Sequence, residues 1–254
     1  MGFDQHYLDL TLVPSGLLIL SAYHAWLLYR IIKHPTTTVI GLNALNREIW
    51  VDTMMADGIK NGVLAVQTLR NNIMASTLLG STAITLSSLI GVLVSSTNGS
   101  GAVSALIYGD HSRIGSFIKY FTILICFLIA FVCNLQSIRY YSHVSFLINV
   151  PKDKYLPAHS SIYFVSKALN RGSYFWSLGL KAFYFSFPLF LWLFGPLPMF
   201  VSCCSMVGVL YFLDTATPFT QTLPLNGRAN VDVEQCSSPA PPSPPLQIKC
   251  NHLN

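Results

Sequence analysis

Charged residues are absent from four long stretches of this chain: Leu10–Tyr29, Asn71–Gly109, Tyr120–Ile138 and Ala182–Leu213. A chain with such gaps cannot cover a water-soluble domain with polar surface. Only 10% of all residues are charged, where about 25% is usual in soluble proteins. The apolar content excludes an unfolded chain, because there is ample material to bury. The expected fold class is therefore all-α, a polytopic membrane helix bundle with four to five membrane helices. Amphipathic cytoplasmic helices and a disordered C-terminal tail complete it.

A helix needs about 20 apolar residues to cross the roughly 30 Å hydrocarbon core. The first stretch predicts a span over 10–32, with Pro14 in its first turns, where a missing amide is tolerated. The second stretch is too long for one crossing. Ser95-Ser96-Thr97-Asn98-Gly99-Ser100-Gly101 punctuates it, so the span is placed at 72–94. The third helix is placed at 117–148, stopped by Pro151. The fourth stretch is broken by Gly195-Pro196-Leu197-Pro198, giving 174–194 and a short 199–213, with Lys181 snorkelling toward headgroups. Together these form a bundle over 1–219.

Between spans, 43–70 reads as an amphipathic cytoplasmic helix that lies on the membrane or packs on the bundle, with Gly58 and Gly62 as interruptions. A second amphipathic segment runs over 157–171 and ends before Gly172. Residues 220–254 form a Pro/Ser-rich tail expected to be disordered. Its Pro239–Pro245 run could serve proline-recognising adaptors.

Basic residues supply an orientation. Arg30, Lys33, Arg47, Lys60 and Arg70 follow span one; Arg139, Lys152, Lys154, Lys167, Arg171 and Lys181 follow span three. The other side has Arg113 and Lys119, so the ratio is eleven to two. By the positive-inside rule the N-terminus is outside and the basic loops are cytoplasmic. With five helices the C-terminus is cytoplasmic too. Which membrane is involved stays open.

The net charge of +5 is spread over two regions, without the dense basic stripe that nucleic acid needs. Anionic lipid headgroups are the expected partners, and no nucleic acid. Cys126, Cys133, Cys203 and Cys204 lie in apolar segments and read as small hydrophobes. Cys236 and Cys250 in the tail are open to palmitoylation, and His6 spoils a myristoylation signal.

Polar residues within the spans mark candidate chemistry. Thr77, Ser81, Thr85 and Ser88 share one helical face, either for close packing or to line a path for a small polar solute. Asn134, Gln136 and Arg139 occupy the inner half of span three. Arg70, Asn71 and Asn72 cluster at the inner mouth of span two, as a cap or as an anion or headgroup contact. His24 and His143 have no metal-ligand spacing, no cofactor fingerprint is present, and no catalytic set stands out. No Asp or Glu falls inside a predicted span, which argues against a proton-coupled pump and an aspartyl intramembrane protease.

Three runs carry a family resemblance. They are Lys60-Asn61-Gly62-Val63-Leu64-Ala65-Val66-Gln67-Thr68-Leu69-Arg70-Asn71-Asn72-Ile73-Met74-Ala75-Ser76-Thr77, then Ser137-Ile138-Arg139-Tyr140-Tyr141, then Gly179-Leu180-Lys181-Ala182-Phe183-Tyr184-Phe185. In order, they resemble the domain-of-unknown-function 599 family, in a plant-type member, over roughly residues 5–220. The resemblance implies an integral membrane protein, and it implies no catalytic residue or cofactor. The leading expectation is a non-enzymatic scaffold or regulator with a basic cytoplasmic face. A small-solute transporter or channel component, working as a homo-oligomer lined by the helix-two hydroxyls, is second. A membrane-embedded enzyme is third.

Overall fold

A computed structural model describes residues 2–97, 113–150 and 158–215. The turn-rich loop from residue 98, the segment around residues 106–108, the stop at Pro151 and the tail lie outside the described residues. Six α-helices account for nearly everything described: α1 Gly2–Lys33, α2 Val39–Ala56, α3 Gly58–Thr97, α4 Arg113–Leu147, α5 Ala158–Leu191 and α6 Pro196–Asp214. All but α2 are long and apolar enough to cross a membrane. Apolar side chains such as Leu18, Val92, Phe121, Phe187 and Val201 stay exposed on their outer faces, as lipid-facing helices require.

The helices run longer than the spans read from sequence, and the reason is local. Gly195 has a φ of 137°, a left-handed region that favours glycine. Pro196 follows as the first residue of α6, where its missing amide costs no helical bond. This combination separates α5 from α6. No such break precedes Tyr174, so the expected amphipathic segment 157–171 and the span 174–194 are one helix. Gly172 does not end it. A Cβ there would lie 3.1 Å from Tyr140 Cβ and from the Tyr141 ring, so this glycine serves close approach of α5 to α4.

The expected helix over 43–70 divides instead. Asp57 has non-helical backbone angles (φ −132°, ψ 81°), and its Oδ1 accepts from the Lys60 amide at 3.1 Å. It acts as an N-cap, which starts α3 afresh. From there α3 continues unbroken through the predicted span at 72–94. Pro14 also differs from expectation. It lies well inside α1 rather than in a first turn, because the helix begins at Gly2.

α4 packs between α3 and α5, α1 packs on α6, and α2 packs on α5. Three buried clusters hold this arrangement together, two of them large. One joins Val13, Ala83, Ile123, Phe127, Phe183, Leu189, Met199 and Cys203 across the five long helices. The other joins Val51 and Met55 of α2 with Ala65, Leu69, Tyr141, Val144, Val165 and Leu169. With 40 residues, α3 is about 60 Å long at 1.5 Å per residue, about twice the hydrocarbon thickness. The second core packs the basic end of these long helices into a helical head. Among the two expected positions for 43–70, α2 takes the one on the bundle.

The α1–α2 elbow closes the same end. Thr38 is fully buried; its Oγ1 caps the Gly41 amide at 3.3 Å and donates to the Pro35 carbonyl at 3.0 Å. Thr38 also pairs with Thr215 in an antiparallel bridge, which ties the end of α6 to the elbow.

Gly172→Val should lower the thermal midpoint in detergent, with a cost of about 1–3 kcal/mol from overpacking. Gly91→Ala, where a Cβ meets nothing within 4 Å, should leave the midpoint equal or higher. Scanning fluorimetry of both variants checks the pair.

Candidate functional site

Three polar features interrupt the apolar packing. The first is a seam where α3, α4 and α5 meet. Ser76 Oγ donates to Ser137 Oγ at 3.3 Å, and Ser137 Oγ to the Gly172 carbonyl at 2.9 Å. One turn further, Asn134 is fully buried and its Nδ2 donates to the Ala130 carbonyl at 2.8 Å. A Cβ on Gly179 would come within 2.7 Å of that Nδ2. Asn134 thus sits in a slot that Gly179 leaves open. Its Oδ1 has no hydrogen-bond partner among the described residues, and an unsatisfied buried acceptor costs roughly 1–3 kcal/mol.

The second feature is an ionic clasp that the sequence reading missed. Asp214 is buried at the end of α6, where no intramembrane carboxylate was expected. Its Oδ2 lies 2.6 Å from Lys181 Nζ and accepts from Tyr23 Oη at 3.0 Å. Lys181 therefore turns inward to a partner instead of snorkelling. The clasp draws α1, α5 and α6 together beside the Thr38–Thr215 bridge. The Leu213-Asp214 junction marked only the end of a span in the sequence, and partners 33 and 191 residues away leave no local pattern.

The third feature is a cleft of about 540 Å³ on the head between α4 and α5. Arg139 and His143 of α4 face Tyr163, Phe164, Lys167 and Arg171 of α5. The spacing i, i+4 puts Arg139 and His143 in one row on α4, and i, i+4, i+8 puts Tyr163, Lys167 and Arg171 in one row on α5. Lys167 Nζ lies 5.3 Å from the Tyr163 ring centroid and 3.4 Å from its hydroxyl. No Asp or Glu lines the cleft among the described residues.

The other residues singled out from sequence are scattered. Arg70 is exposed and lines a separate groove of about 400 Å³ with Ile59, Gly62, Val63 and Asn149. Asn71 and Asn72 are exposed, and Gln136 is half-buried. Thr77, Ser81, Thr85 and Ser88 face outward, and each bonds a carbonyl of its own helix: Ile73, Leu78, Ser81 and Ile84 at 2.9–3.0 Å. Within one chain they do not meet Asn134, which faces inward. Arg70 and Arg139 line different pockets.

Electrostatics separate the two ends. At the head, Arg47 Nε donates to Asn170 Oδ1 at 2.7 Å, and Asn170 Nδ2 donates to the Ala44 carbonyl at 3.3 Å. Burial pulls the Arg47 guanidinium below its usual range, while Tyr141 and Tyr174 oppose that shift. At the opposite end Lys119 is buried, with Nζ 5.3 Å from the Trp192 ring centroid. One of the two basic residues counted for that side is thus shielded by an aromatic face.

Residues 11–219 match the family described as "Protein of unknown function, DUF599". The chain belongs to this family. The match takes in all of α2 to α6 and most of α1. The polar seam, the clasp and the cleft all fall within the family region. No curated protein and no solved structure matches the chain.

The clasp can be tested by a double-mutant cycle. Asp214→Leu or Lys181→Met alone should destabilise by about 3–5 kcal/mol, since each leaves a buried charge unpaired. The double variant should recover much of that loss. Thermal midpoints of the three proteins decide it, and additive losses would show that the pair does not interact.

Proposed function

We propose that this multi-pass integral membrane protein is a non-enzymatic scaffold or regulator. It presents a basic helical head on the cytoplasmic side. The observation that carries the reading is the head itself: α2 and the ends of α3, α4 and α5 share a core. That core holds together the helix ends that carry the basic side chains, beyond the length a membrane crossing needs. A transported solute would require polar groups facing a lumen. The buried hydroxyls of Ser76, Ser137, Ser166 and Ser186 are instead occupied by neighbouring oxygens, which suits a packed body rather than a pathway.

Orientation follows from charge. Arg30, Lys33, Arg47, Lys60, Arg70, Arg139, Lys167 and Arg171 all belong to the head or to the helix ends beside it. The bias of Lys and Arg toward the cytoplasmic side supports that end being inside, and in this reading α6 brings the chain back to the same side. Anionic headgroups of that leaflet attract the head at about 1 kcal/mol per basic residue near the surface.

The transporter reading makes one demand of its own. The exposed hydroxyls of α3 would have to line a path formed by several copies.

Two measurements test this. Protein reconstituted in liposomes should pass no small polar solute; a flux abolished by Thr85→Leu would replace the scaffold reading with the transporter one. In intact cells, a membrane-impermeant thiol reagent should label Leu197→Cys, exposed in the first turn of α6. It should label Lys60→Cys on the head only after permeabilisation, and the reverse would invert the orientation.

A further inference from the structure

We propose that the cleft between α4 and α5 is a binding site for a phosphate-bearing group, with an anionic lipid headgroup or a free phosphorylated solute as its source. The cleft gathers Arg139, Lys167 and Arg171 with His143, and no carboxylate lines it among the described residues. Three like charges held on facing rows repel one another, so the arrangement favours a multivalent anion that neutralises them together. Guanidinium forks match the oxygens of a phosphate in pairs, and an ammonium adds a point charge.

The placement of the rows favours a ligand at the membrane edge. On α5, which runs from the head into the bundle, Arg171 lies nearest the membrane, Lys167 one turn out and Tyr163 two turns out. On α4, which runs the other way, Arg139 is nearest the membrane and His143 one turn out. The two arginines thus form a floor at headgroup level. Lys167 and His143 form a second level about 6 Å above it, at 1.5 Å per residue. Tyr163 and Phe164, both more than half exposed, stand at the outer lip. Their rings offer an apolar surface to a ring or chain that carries the phosphate. The Lys167 ammonium donates to the Tyr163 hydroxyl oxygen at 3.4 Å, which leaves the hydroxyl proton for an acceptor beside the ammonium.

The cleft differs from the second groove of the head. That one has Arg70 as its single cation beside Ile59, Val63 and Val66, and it lacks a facing basic row. The assignment rests on the proposed orientation only for which leaflet or compartment supplies the ligand. Phosphate binding by purified protein does not depend on it.

The full chain in phosphatidylcholine nanodiscs that contain a minority of phosphatidic acid is examined by native mass spectrometry. Phosphatidylserine is the lipid control. Inorganic phosphate, titrated calorimetrically into detergent-solubilised protein, is the soluble probe. The wild type should retain phosphatidic acid over phosphatidylserine, or bind inorganic phosphate, and Arg139→Gln with Arg171→Gln should lower that binding at least about tenfold. Lys33→Gln with Lys60→Gln removes the same charge from exposed positions outside the cleft and should change it less than about twofold. Arg139→Lys with Arg171→Lys should restore part of the binding, and all variants should keep the wild-type thermal midpoint. Retention of phosphatidic acid that inorganic phosphate does not displace makes the source a lipid. Calorimetric binding of phosphate without lipid retention makes it a solute. Equal losses in the two glutamine pairs, or no binding of either probe, overturn the proposal.

Discussion

Inside a bilayer no water is available to satisfy a broken backbone, and every other property of this structure follows from that. Each chain segment that enters the hydrocarbon must be a whole helix, because an unpaired amide or carbonyl there costs several kcal/mol. A turn is possible only where the backbone can leave the helix at low cost. The described residues show this at Gly195-Pro196, where a left-handed glycine meets a proline that needs no helical bond. Elsewhere the helices continue past the membrane until a cap such as Asp57 ends them. On the proposed placement the head is the consequence: α3, α4 and α5, which pack inside the bilayer, keep packing beyond it, and α2 packs on α5 at that end.

The same constraint sorts the polar residues. Serines and threonines that face lipid return their hydroxyls to their own helix. Ser76 and Ser137 face inward and bond across helices, where α3, α4 and α5 approach so closely that a Cβ at 172 or 179 would crowd Tyr140, Tyr141 or Asn134. Ionic groups are held in two ways. Lys181 and Asp214 pair within the bundle with help from Tyr23, and most other described basic residues, Lys119 at the opposite end excepted, are gathered at the head. The clasp fixes helix ends, and the exposed arginines and lysines are left to act on ligands.

Much of this could be read from the residues. The charge-free stretches mark the membrane helices, the Gly-Pro run marks the turn between the last two, and the lysines and arginines mark one end. Helix continuity was not legible, because an amphipathic segment and a membrane span share the same 3.6-residue period. Gly172 suggests a junction between Ala158 and Leu191, but a glycine that serves close helix packing looks the same in sequence as one that ends a helix. The hydroxyl stripe of α3 was ambiguous for a related reason: a residue that can bond its own carbonyl looks the same whether it faces protein or lipid. Asp214, Lys181 and Tyr23 stood in three separate helices. His143 appeared isolated because its neighbours across the cleft, Lys167 and Arg171, belong to another helix. Pairings of that kind depend on register between helices.

The central claim is that the basic end of the bundle is a packed head in water and not a set of helices lying on the membrane surface. Spin labels at Ile59 and Phe146, exposed on the head at 98% and 78%, can be compared with labels at Leu78 and Val92, exposed at 68% and 64% on α3. In lipid vesicles, the account predicts that a water-soluble nickel complex broadens the first pair strongly while dissolved oxygen relaxes the second. Oxygen-dominated relaxation at residues 59 and 146, equal to that at 78 and 92, would contradict it.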